Sequence, residues 1–251
     1  MNVITLAKKY AALLDETYRE NAKTAVLESD PALAREGANA NELVIPKLTM
    51  DGLANYSRNS GYVSGDVSLT WETVKFSYER GRMFSVDAMD NEESQSIAFG
   101  ALAGEFVRTK AVPELDAFRF AAIAGSDGIS KAEGKLETGE AAAAAVRKAV
   151  SAMDAAEVPS EDRVLFITPV LKGMIDDMDT TKSRAVMASF TDVVVVPQSR
   201  FYSAVKLADG VTGGEESGGY SKAAGAKNIN FMIVHKGAVI QFTKHALPKI
   251  I

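Results

Sequence analysis

The chain has 251 residues, of which 47% are hydrophobic and 24% charged. That balance and length allow a sizeable core and exclude wholesale disorder. The net charge of −5, from 28 Lys+Arg against 33 Asp+Glu, is not that of a globally basic nucleic-acid binder. With no Cys, disulfides, thiolate catalysis and Cys-ligated metals are excluded, and with only His235 and His245 little remains for imidazole chemistry.

Residues 3 to 28 read as a helix, with Leu6, Tyr10, Leu13, Leu14 and Tyr18 close to one stripe. Lys8 and Lys9 lie inside the apolar run, which is not the order of a targeting segment, and no apolar stretch is long enough to span a bilayer. A soluble protein made in a cytoplasm is expected. Asp30-Pro31 breaks the helix, and the small, polar run to Asn41 suggests an extended arm. LVIPKL and VSLTWETVKFSY, starting at Leu43 and Val67, are rich in β-branched and aromatic residues and predict two strands of a long hairpin. The segment between them, rich in Gly, Asn and Ser, reads as loop. In the second strand the apolar parity shifts, from Val67, Leu69 and Trp71 to Val74, Phe76 and Tyr78. A bulge, a strong twist, or burial of the two faces by different partners would each account for that shift. A lone two-stranded ribbon is marginal in water, so this one is expected to lie on something else.

Asp90 to about Ala124 is the longest helical pattern, about 50 Å at 1.5 Å per residue. Asp90 with Glu93 forms a capping signature. Phe99, Leu102 and Phe106 make one apolar stripe and Leu115, Phe118 and Ala122 another, with Pro113 between them expected to bend the helix. Helices are expected from Thr138 to Ala156, with Thr138 as cap, from Pro169 after a Thr168 cap, and from Lys182 to Ala188. Short strands are expected at Arg163 to Thr168, Val193 to Val196, Asn230 to His235 and Ala238 to Lys244, the last two joined through Lys236-Gly237. Between Asp209 and Lys227 six glycines (Gly210, Gly213, Gly214, Gly218, Gly219 and Gly225) predict a poorly constrained loop.

No motif for catalysis survives inspection. In GGEESGGYSKAAGAKN, Gly219 and Gly225 enclose five residues and Ala226 follows, so the spacing of a phosphate loop fails. Asp176, Asp177 and Asp179 cluster at a helix C-terminus, where a solvated surface is the commoner reading than a metal site. His235 and His245 lack metal-site spacing, and no nucleophile-elbow motif occurs. Catalytic, cofactor and metal residues are accordingly expected to be none. Arg58, Arg80 and Arg82 lie near the hairpin among enough carboxylates that inter-subunit ion pairs are expected rather than phosphate contacts. Tyr56 and Trp71 are the aromatic interface candidates beside them, with ordinary packing on the chain's own body as the alternative.

The order of these elements resembles the major capsid protein (major head protein) of tailed bacteriophages, with the fold named after Hong Kong phage ninety-seven. Segments such as IPKLTMDGLANYSRNSGYVSGDVSLTWETV, FSYERGRMFSVDAMDNEE, LAGEFVRTKAVPELDAFRF, LFITPVLKGMIDDM, VVVVPQSRFY and INFMIVHKGAVIQFTKH are similar to capsid proteins of phages of Gram-positive bacteria. The resemblance covers nearly the whole chain and rests on the collinear set. It implies an α+β fold: an N-terminal arm (1–45), an extended β-hairpin loop (46–85), a peripheral domain with a long spine helix (86–134), an α/β axial domain (135–237) and a return to the peripheral domain (238–251). It further implies self-assembly into hexamers and pentamers of an icosahedral shell, in the virion and, during assembly, in the host cytoplasm. That shell would enclose double-stranded DNA without sequence-specific binding, touch no membrane, and use a portal. Some relatives begin with a cleaved scaffolding segment; here Met1 leads into the arm, so a separate scaffolding protein is expected. An encapsulin-like nanocompartment shell would share the fold. A soluble α/β enzyme is the third class, disfavoured by the poverty of His and the failed motifs.

Overall fold

The computed structural model describes residues 22–29, 35–36, 42–59, 61–84 and 104–242. The expected arm helix before residue 22, the first half of the long helix with its Asp90 cap, Phe99 and Leu102, and His245 lie outside the described residues. The protein is mixed α+β and divides into two compact units, residues 1–28 with 86–251, and residues 29–85.

The smaller unit is a β-ribbon. Strand β1 (Arg35–Glu36) pairs with β2 (Glu42–Met50), and β2 pairs with β3 (Val67–Lys75) in an antiparallel ladder. The β2–β3 register runs unbroken from Glu42 opposite Lys75 to Met50 opposite Val67. No bulge interrupts it, so the parity shift in the sequence has another origin, described below.

The larger unit is built around β4 (Arg163–Ile167), every residue of which is buried. Strand β5 (Asp192–Val195) lies parallel to it on one side and β8 (Phe231–His235) antiparallel on the other. Successive residues of a strand point to opposite faces, and both faces of this sheet are covered. Leu165 and Ile167 pack with Ala142, Ala143, Leu171, Ile175, Val186 and Phe190, supplied largely by helices α2 (Gly139–Ala155), α3 (Pro169–Asp176) and α4 (Thr181–Met187). Val164 and Phe166 pack with Leu27, Phe120, Val196, Phe201 and Val234 on the opposite face. There Phe120, from helix α1 (Val112–Gly125), meets Phe166 and Phe201 edge-on, at centroid distances of 5.1 and 4.9 Å.

The helix starts have local causes. Thr138 accepts a hydrogen bond from the Ala141 amide and caps α2, as expected. Thr180 and Ser183 form a reciprocal capping box on α4. Thr168 stands at the start of α3 without a side-chain capping bond, and Pro169 alone pre-sets the first turn.

Two expectations are corrected. Helical backbone leads into a π-helical turn at Val107–Ala111, in which the Val112 amide bonds to the Val107 carbonyl, before α1 carries Pro113 in its first turn. A proline lacks the amide that an α-helical interior requires, and the widened turn relocates the bonding around it. Of the expected stripe, Leu115 packs half-buried on Val107 and Val112 and Phe118 is half-buried, while Ala122 is exposed; the buried residues of α1 are Val112, Glu114, Asp116, Ala117, Arg119 and Phe120. Charged residues on that face gain partners that a hydrophobicity count does not see. The second correction lies after β8. The chain makes a 3₁₀ turn at Lys236–Ala238, and among the described residues up to Phe242 no strand follows. The partner of β8 is β4, not a hairpin mate.

Candidate functional site

The interface candidates all fall in the smaller unit and are exposed. Trp71 sits in the middle of β3 opposite Pro46. Tyr56 and Arg58 belong to the loop joining β2 to β3, and Arg80 and Arg82 follow the far end of β3. In sequence they are spread over the β2–β3 loop, the middle of β3 and the chain that follows it. Each of them stands on an exposed part of this unit.

The register explains what this surface is. Directly opposed residues of an antiparallel pair share a face. One face carries Pro46, Leu48 and Met50 against Trp71, Leu69 and Val67. The other carries Leu43 and Ile45 against Val74 and Glu72, and then turns polar with Lys47, Thr49, Thr70 and Ser68. The apolar surface thus changes sides along the ribbon: one face is apolar toward the loop, the other toward the base. This is the parity shift of the sequence, produced by a regular ladder with two differently placed apolar patches. On the first face Leu48, Met50, Val67, Leu69 and Trp71 remain between 46% and 71% exposed, far more than a folded chain usually leaves contiguous. On the polar part of the second face Lys47 reaches Glu72 at 3.9 Å.

The loop at the ribbon's end has its own order. The Asp51 carboxylate accepts from the Asp66 amide at 2.9 Å, and Asp51 donates its own amide to the Asp66 carbonyl at 3.1 Å. Ser57 and Gly61 exchange backbone bonds of 3.2 and 2.7 Å, Gly61 taking the positive φ of 75° that this tight return requires. Tyr56 and Tyr62 lie beside one another with ring centroids 5.0 Å apart. Leu53 and Tyr62 are almost wholly exposed.

In the larger unit the rejected chemical candidates have structural roles. Asp176 pairs with Lys172 at 2.6 Å and Asp179 pairs with Arg184. Among the described residues no group of three or more carboxylate or imidazole side chains is arranged to hold a metal. The His235 ring accepts from the Gly237 amide at 3.1 Å and shapes the turn after β8.

The glycine-rich segment departs from its expectation. It contains β6 (Val205–Leu207) and β7 (Tyr220–Lys222), paired antiparallel, so a strand stands where a phosphate loop would need a helix. The turn between them is knotted by Asp209, whose carboxylate accepts from the amides of Val211 and Thr212, each at 2.8 Å, and from the Thr212 hydroxyl. These bonds, led by the Thr212 hydroxyl, favour the charged form and lower the Asp209 pKa to about 2. Glu215 pairs with Lys206, which lowers the carboxyl and raises the amine. Tyr220 donates to the Ser199 carbonyl at 2.9 Å, and burial raises its phenol above the usual range.

One polar cluster went unseen at the sequence level. Asp116 is 1% exposed and accepts from the Lys23 amide (2.9 Å), the Thr24 amide (3.1 Å), the Thr24 hydroxyl (2.7 Å) and Arg200 (3.2 Å). Arg119 donates to the Thr24 hydroxyl at 3.0 Å, and Gln241 donates to the Thr24 carbonyl at 2.9 Å. Segments more than eighty residues apart meet here, and nothing in their local spacing announces it.

No family model, curated protein or solved structure matches the chain.

Proposed function

We propose that this chain is the major capsid protein of a tailed bacteriophage, assembling through its β-ribbon into hexamers and pentamers of an icosahedral shell around double-stranded DNA. The observation that carries the reading is the two-sided apolar ribbon. Trp71 with Leu69 and Leu48 on one face, and Val74 with Leu43 and Ile45 on the other, ask for cover from two directions. Neighbouring subunits of a closed shell supply such cover repeatedly. Each half-exposed side chain of this kind, once covered, contributes on the order of 1 kcal/mol. An obligate assembly commonly buries more than about 2,000 Å² per contact.

On this reading the α/β unit around β4 is the axial domain, and α1 belongs to the spine helix. Tyr56, Arg58, Trp71, Arg80 and Arg82 are then contacts between subunits, with no catalytic residue, cofactor or metal required. A separate scaffolding protein and a portal would act during assembly.

Electron microscopy of the purified full chain is the test. Closed shells, tubes or capsomer rings support the reading, and deletion of the ribbon's end from Asn55 to Gly65 should abolish closed shells while the β4-centred unit still folds. A monodisperse monomer at high concentration, or normal shells from the deletion, would sink it. Shells that carry a protein cargo and never DNA would transfer the reading to the nanocompartment class.

A further inference from the structure

We infer that two segments of the larger unit, residues 22–28 and 239–242, dock and release as one element, with Thr24 as the joint between them. Thr24 is fully buried, and each of its polar groups is used. Its amide and hydroxyl donate to Asp116, its hydroxyl also accepts from Arg119, and its carbonyl accepts from both the Leu27 amide (3.0 Å) and the Gln241 side chain. Three residues on, Leu27 is 2% exposed and fills the core beside Phe120, Val164 and Phe166.

The polar and apolar attachments lie within one turn of chain, so the segment cannot leave the Asp116 carboxylate while keeping Leu27 comfortably seated. When it leaves, Gln241, only 7% exposed, loses the Thr24 carbonyl. Losing a buried hydrogen bond costs free energy, and that cost disfavours the docked state of residues 239–242. The reverse holds equally, because a coupling free energy between two sites is reciprocal. Whatever draws one segment off the body therefore loosens the other. The coupling passes through Thr24 and is independent of the capsid reading.

Hydrogen exchange on the full chain tests it. Gln241→Ala, which leaves Asp116 and Leu27 in place, should speed exchange of the Lys23, Thr24 and Leu27 amides about tenfold. Asp116→Asn should speed exchange in peptides covering 239–242 by a similar factor, and β4 amides should keep their protection in both variants. The double variant should add little to the larger single effect, because the joint is already open. Acceleration confined to the mutated end would overturn the inference. So would fully additive effects, or an equal acceleration at β4, which would mean that Asp116 and Gln241 serve global stability alone.

Discussion

At Glu157 the backbone adopts a φ of 57°, a conformation that costs an L-residue about 1 kcal/mol or more. The reason is the end of α2. The Val158 amide bonds back to the Met153 carbonyl and the Glu157 amide to the Asp154 carbonyl, closing the helix in a Schellman arrangement whose left-handed position favours glycine. Glu157 is exposed, so Glu157→Gly should raise stability by about 1 kcal/mol, read as a higher denaturation midpoint with an unchanged slope. Gly139 makes the opposite case. A Cβ there would lie 2.2 Å from the Met174 carbonyl and 2.8 Å from the Met178 sulfur, so α2 starts where only a glycine lets it approach α3. Gly139→Ala should cost about 2 kcal/mol or more, because the obstacle is backbone and cannot swing aside. A variant as stable as the parent would show that the helices separate freely.

Among the elements, β4 and the β6–β7 ribbon respond to different perturbations. Truncating a fully buried aromatic on β4, as in Phe166→Ala, should cost about 3–5 kcal/mol in equilibrium unfolding. The β6–β7 turn answers to acid. Because the folded Asp209 pKa is depressed to about 2, its contribution is fully present above the unfolded value of about 3.9 and is lost as pH falls through about 2. The Val211 and Thr212 amides should stay protected at pH 4 and exchange freely near pH 1.5, and Asp209→Asn should remove that pH dependence. The strands β2 to β5 and β8 and the helices α2 and α3 were legible in the sequence because each carries a local cause: β-branched runs, a Thr cap, or Pro at the first turn; α4 was expected from Lys182 without its Thr180 cap. The buried face of α1 was not legible. Glu114, Asp116 and Arg119 look like solvent residues until Thr24 and Arg200 arrive from distant parts of the chain. The glycine count between Asp209 and Lys227 likewise overstated freedom, since one aspartate with a threonine three positions on is enough to organise a turn. The interface candidates on the ribbon could be named one by one, but their division between two faces needed the pairing register.

For the molecule as a whole, the division of the ribbon's faces makes the shell proposal specific. Leu69→Glu would place a charge on the face of Leu48 and Trp71, and Val74→Glu on the face of Leu43 and Ile45. If each face is covered in the shell, either substitution alone should block closure, and the far-ultraviolet circular dichroism of the chain should be unchanged. Closure by both variants would refute the two-sided contact. Trp71, the single tryptophan, is 46% exposed, so its emission should move to shorter wavelength as subunits associate. An emission that stays constant from subunit to shell would remove Trp71 from the contact.

The joint at Thr24 also sets an order of events during synthesis. Residues 22–28 are made well before the groups that bind them: Asp116 and Arg119, and lastly Gln241, 217 positions downstream of Thr24. Translation adds about 5–20 residues per second, so this segment waits some ten seconds or longer for its full set of contacts. Leu27 is uncovered during that interval, and so is the ribbon that follows it. A segment made ahead of its partners is thus among the last to settle, and the unfinished chain is open to association with other copies until they arrive.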